Sequence, residues 1–201
     1  MTVKPKADLA SFFVCLVAVP TFYVLPLLLI PKLSAVLRPH ALALSWMSLD
    51  RIPGATLLFQ TVMTTLSYVP AVILAPLFVK MDNRDPRSMF EAGVAPPLLR
   101  RLYAAHRNNI DTFPSLLAGV FVASSFQLDA KVFADLCVIF VLSRVLYHLV
   151  YYLNLDMARS LSYTFGICSV LLMITFSLFE SFQPKLEQVS NLIPWPASLL
   201  N

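Results

Sequence analysis

Residues 132–153, VFADLCVIFVLSRVLYHLVYYL, decide the fold of this chain. The stretch is apolar except for Asp135 and one interior cation, Arg144. A hydrocarbon core about 30 Å thick needs roughly 20 helical residues, so this segment is long enough to cross it. The same pattern recurs on both sides. Residues 52–79 carry no charge; residues 112–128 are uncharged, with a helix expected to begin upstream near Pro97; residues 160–179 are uncharged again. One long loop (80–97) and two short ones (128–131 and 154–158) join these spans. Short links make consecutive helices antiparallel neighbours. The expected class is therefore an all-α membrane protein, an up-down four-helix transmembrane bundle with an extra N-terminal hydrophobic segment. Its expected divisions are an extension over residues 1–51, a membrane domain over 52–184 and a tail over 185–201.

Composition agrees with that pattern. Of 201 residues, 58% are hydrophobic and 13% charged, about half the charged share of an average globular chain. Mean hydropathy is +0.75. Too few charges remain to coat a water-facing surface, and disorder would need the opposite balance. Cys15, Cys137 and Cys168 lie scattered in apolar runs without metal-ligand spacing, so they read as small apolar fillers. No metal site is expected. The net charge of +4 includes no long basic run interleaved with aromatics, so no nucleic-acid partner is expected. The excess is better suited to setting membrane orientation.

An apolar run at residues 9–31 precedes the four spans, with Lys4 and Lys6 on its flank and Pro20 and Pro26 inside it. Three readings stay open for it: an extra span kinked at the prolines, an interfacial or re-entrant segment, or a cleaved leader. Lys80, Arg84, Arg87, Arg100, Arg101 and Arg107 crowd the long loop and its exit, and Arg159 sits in the last connection. The positive-inside rule therefore places that end of the bundle in the cytosol. The membrane is an internal one such as the endoplasmic reticulum if the chain is eukaryotic, and the inner membrane if it is bacterial.

This orientation gathers polar residues at one end. Arg107 and Asp111 stand four apart and Asn108 and Asp111 three apart, while Arg144, Tyr147, His148 and Tyr151 form one helical stripe. Arg159 and Ser160 open the fourth span, with Tyr163 one turn on. Arg144 lies about ten residues, roughly 15 Å, from the nearest connection. A cation at that depth should turn inward and find a carboxylate, and Asp111 is the expected partner. Alone, such a pair can equally do no more than fix helix register; with the amide, phenols and other cations added, the set suits a small polar anion. His148 reads as a hydrogen-bonded packing residue, and Asp82 to Arg87 as a charged turn at the headgroups. With four glycines and no Gly-rich phosphate loop, nucleotide binding is not expected.

The segment from Arg101 to Pro114, RLYAAHRNNIDTFP, resembles the signature of the MAPEG superfamily, membrane-associated proteins in eicosanoid and glutathione metabolism. Ser143 to Tyr151, SRVLYHLVY, is similar to that family's third-span motif, and Arg159 to Tyr163, RSLSY, to the fourth-span start of its prostaglandin E synthase branch. The resemblance covers roughly residues 55–182. It implies a homotrimer that binds glutathione between subunits and takes lipophilic substrates from the bilayer. Carried over, Arg107, Asn108, Asp111, Arg144, Tyr151 and Tyr163 would hold glutathione, and Arg159 with Ser160 would stabilise its thiolate. Three positions depart from the pattern: Ala104 replaces an arginine, Asp111 is shorter than the usual glutamate, and Asn109 replaces an acid.

The implied chemistry is sound on its own. A thiol near pKa 8.5 is mostly protonated at neutral pH, and a guanidinium, a hydroxyl and a helix N-terminus all favour the attacking anion. The resemblance thus leads to a glutathione-dependent transferase, isomerase or peroxidase. The alternatives are a non-catalytic lipid-binding or scaffold member, and a glutathione-independent isomerase or cyclase acting on a hydrophobic metabolite.

Overall fold

A computed structural model describes residues 23–34, 36, 48–78, 87–91, 94–179, 182 and 188. The start of the N-terminal apolar run (9–22), the 79–86 part of the long loop, His40 and the end of the tail lie outside these. The described elements are α1 (Tyr23–Ser34), α2 (Ile52–Leu66), α3 (Val69–Leu74), α4 (Ser88–Glu91), α5 (Pro97–Ser125), α6 (Ala130–Tyr152) and α7 (Asp156–Leu178). They form an all-α bundle. Single 3-10 turns flank the α2–α3 pair, giving a composite span, Leu49–Leu77. That span breaks at Ser67 and Tyr68, because Pro70 in the first turn of α3 cannot donate to the preceding turn.

Leu49–Leu77, α6 and α7 are each long and apolar enough to cross a membrane. The chain is an integral membrane protein. α5 matches the longest of these at 29 residues, and its first half carries Arg100, Arg101, Arg107 and Asp111. Its links to α6 and α7 are tight for identifiable reasons. Gln127 (φ 53°) and Asn154 (φ 60°) take left-handed conformations that end α5 and α6. Leu128 N then donates to the Ala123 carbonyl at 3.0 Å, and Leu155 N to the Val150 carbonyl at 2.9 Å. The Asp129 carboxylate caps the start of α6 by accepting from Lys131 N and Val132 N.

α6 packs chiefly on α7, α5 lies against α7, and α2 closes the layer against α5 and α6. The main core joins Leu116 and Val120 of α5, Leu136 and Phe140 of α6, and Leu172, Met173 and Phe176 of α7. Close approach depends on glycine at two points. A Cβ at Gly119 would stand 2.8 Å from Val170 Cγ1, and one at Gly166 would stand 2.6 Å from Ser143 Oγ. α1 adds Ile30 to this core, with Tyr23, Leu27 and Leu33 against it. At its far end the Ser34 hydroxyl donates to the Asp135 carboxylate, which accounts for an acid inside α6. Cys137 and Cys168 are buried free thiols.

Candidate functional site

Arg144 is completely buried, yet its partner is not Asp111. Nη1 donates to Asn108 Oδ1 at 3.0 Å and Nη2 to the Tyr163 carbonyl at 3.2 Å. Three rings surround the guanidinium carbon: Tyr147 at 5.0 Å, Tyr163 at 5.4 Å and Phe140 at 5.6 Å. Nε has no partner among the described atoms. The expected Arg144–Asp111 pair is thus corrected, and helix phase gives the reason. The buried face of α5 runs through Ala105, Asn109, Thr112 and Leu116. At about 100° per residue, Asp111 lies about 200° round from Asn109, pointing away from the bundle. Arg107 shares that outer face, and both side chains are exposed. Asn108, at the edge of the buried face, is the one that reaches Arg144.

The structure does assemble most of the other predicted residues. A cavity of about 380 Å³ is lined by Asn108, Tyr147, Arg159, Ser160, Tyr163, Thr164 and Tyr23, near the lower end of the ~300–1,000 Å³ range of small-ligand sites. Tyr151 lies behind this lining, its ring 4.9 Å beneath the Arg159 guanidinium and 5.3 Å from Tyr147. Arg159 also pairs with Asp156 at 3.2 Å, one turn back on α7. The Ser160 hydroxyl donates to the Asp156 carbonyl at 3.2 Å. Arg144 is not part of the cavity wall; it grips two residues that are. Among the described residues no cluster of His, Cys, Asp or Glu is placed to hold a metal.

Behind Arg144 a polar network ties α2, α5 and α6. His148 Nδ1 donates to the Arg144 carbonyl at 2.9 Å, which requires the proton on Nδ1 and leaves Nε2 to accept from Asn109 Nδ2 at 3.0 Å. Gln60 Nε2 donates to the Asn109 carbonyl at 3.2 Å, and Ser67 joins Asn109 to His106. His148 therefore has a packing role, and Asn109 is a core residue with no place in the cavity.

Sequence reasoning missed Gly166. It sits one turn beyond Tyr163, and a Cβ there would meet Arg144 Nη2 at 2.8 Å as well as Ser143 Oγ. Its rarity in a chain with four glycines was the usable signal. Overpacking of this kind costs about 1–3 kcal/mol. Gly166→Ala should accordingly lower the Tm of the detergent-purified protein, and Ser143→Ala in the same chain should recover part of the loss.

With this geometry in place, comparison with known proteins gives one match. Residues 52–179 match the family model described as MAPEG family. No curated protein and no solved structure matches the chain.

Proposed function

We propose, because the chain belongs to the MAPEG family, that it is a glutathione-dependent transferase, isomerase or peroxidase acting on a lipophilic substrate. One observation carries the reading. Arg159 and Ser160, near the N-terminal end of α7, face the cavity with Asn108, Tyr147 and Tyr163. Behind its wall stands a buried guanidinium bonded to an amide and a carbonyl, with no carboxylate among its partners in the described residues. That uncompensated charge favours an anionic ligand.

The residues present fit glutathione. Asn108 gives its oxygen to Arg144, which leaves the amide NH₂ to serve a peptide carbonyl or carboxylate. Tyr147 and Tyr163 add phenolic donors along the cavity. When bound, glutathione supplies a thiol, which is the nucleophile or reductant of all three reactions. Arg159 holds the sulfur as its anion by a charge-assisted hydrogen bond. Ser160 adds a second donor once its hydroxyl leaves the Asp156 carbonyl.

The assembly is proposed as a homotrimer with this end of the bundle in the cytosol. Asp111 lies 14 residues, about 21 Å, from the far end of α5, well inside a 30 Å core. An exposed Asp111 at that depth, with the exposed Arg107 about one turn nearer the headgroups, needs cover other than lipid. A neighbouring copy supplies it, and these two residues then face the ligand from across the interface.

The test is thermal. Millimolar glutathione should raise the Tm of the purified protein, because a ligand bound only to the folded state stabilises it. Thiol-dependent turnover of 1-chloro-2,4-dinitrobenzene should accompany the shift. Absence of both would favour a lipid-binding member instead. That second reading has its own support in an apolar groove of about 350 Å³ between α6 and α7, lined by Leu142, Leu146, Leu161 and Phe165 among others.

A further inference from the structure

The family model begins at residue 52, yet one wall of the cavity comes from before it. Tyr23, in α1, lines the hollow together with Tyr163 and Thr164 of α7. α1 is firmly seated. Tyr23, Leu27, Ile30 and Leu33 recur at spacings of four and three residues and so share one face; that face packs on the main core, where Ile30 is 1% exposed. The bond from Ser34 to Asp135 fixes the helix along its axis. Sliding α1 by one residue would move Ser34 about 1.5 Å and break that bond. At the other end the Cys168 thiol approaches the Tyr23 carbonyl at 3.6 Å. Tyr23 is therefore delivered to a fixed place.

That place is the deep end of the cavity. Arg159 and Ser160 lie one turn into α7, Tyr163 and Thr164 a turn further in, and Cys168 a turn beyond those. Nine residues separate Arg159 from Cys168, about 13 Å of helix. Arg159 thus lies toward the mouth, and Tyr23, whose carbonyl meets Cys168, enters the lining from the end toward the bilayer interior. An apolar co-substrate arriving from lipid meets the sulfur from that side.

We infer that Tyr23 is a specificity-determining residue: the extension closes the deep end of the site and limits the length of electrophile that reaches the thiolate. The inference rests on the glutathione reading above. It departs from a site built only of the family-matched residues, since the limiting side chain belongs to a segment outside them.

Two electrophiles test it on the full-length protein, compact 1-chloro-2,4-dinitrobenzene and long-chain 4-hydroxynonenal. Tyr23→Ala should raise the kcat/KM ratio of the long substrate to the compact one about tenfold, in line with what a few methylenes are worth in a pocket. Tyr23→Trp should move the ratio the other way, and the KM for glutathione should stay put in both. Unchanged ratios in both variants, with thiol-dependent turnover intact, overturn the inference and leave the glutathione reading standing. A second readout needs no turnover. In Tyr23→Cys, glutathione sulfonate should slow alkylation of the new thiol by N-ethylmaleimide. If the sulfonate raises the Tm but leaves that alkylation rate unchanged, Tyr23 does not wall the ligand site. A wild-type protein with neither a Tm shift nor turnover overturns the glutathione reading and this inference with it.

Discussion

Arg159→Ala is expected to lower kcat for conjugation of 1-chloro-2,4-dinitrobenzene about 100-fold while changing the KM for glutathione less than about fivefold. The separation follows from where the charge acts. In the proposed site the peptide of the ligand would be gripped through Asn108 and the phenols, whose interactions are the same whether the sulfur is protonated or not. Arg159 would act on the sulfur, with a contribution that grows as the thiol becomes an anion. Removing one donor aimed at developing charge typically costs 10²–10³ in kcat. The structure also identifies what restrains this arginine. Its salt bridge to Asp156 at 3.2 Å leaves the carboxylate 75% exposed, and such pairs hold loosely. The ring of Tyr151 beneath the guanidinium keeps it over the cavity when the bridge opens. Asp156→Asn should therefore leave turnover intact or raise it, whereas Arg159→Lys should recover only part of the loss, because an ammonium cannot lie flat on that ring. A large KM effect with unchanged kcat would assign Arg159 to binding instead.

The helices were legible because lipid enforces them: a run of apolar residues long enough to span has few alternatives to a helix. The Arg144–Tyr147–His148–Tyr151 stripe was legible for the same reason, since spacing alone puts those residues on one face. Asp111 was misread because spacing does not reveal which face of a helix is buried. α5 carries Asn109 and Thr112 on its inner face and Leu117 and Phe121 on its outer one, so polarity points the wrong way along that helix. Its phase is set by the contact of Gly119 with Val170, a fact of packing. Tyr23 was out of reach for another reason. It shares the cavity with Thr164 and meets Cys168 across more than a hundred residues, and nothing local marks a tyrosine in an apolar run as part of a distant site. Gly166 lay between these cases, visible in the sequence but meaningful only once Arg144 was known to need the space.

Arg144→Met should separate stability from function more sharply than any other single change. In a register-fixing ion pair, losing one partner strands a buried charge and costs about 3–5 kcal/mol. Here the guanidinium has no carboxylate to strand among the described residues. Its burial costs several kcal/mol, offset by two charge-assisted hydrogen bonds of roughly 1.5–3 kcal/mol each and by the surrounding rings. Methionine removes the cost and the gains together and fills much of the volume, so the Tm should change by only a few degrees. Ligand binding has no such compensation. A positive charge about 8 Å from a bound anion is worth roughly 2 kcal/mol at an effective dielectric near 20, and Asn108 and Tyr163 lose the group that aims them. The Kd for glutathione, measured by calorimetry on the solubilised protein, should rise about 30-fold or more. A variant that binds normally but melts far below the parent would show that Arg144 serves the fold alone, and the anion site would then have to be sought without it.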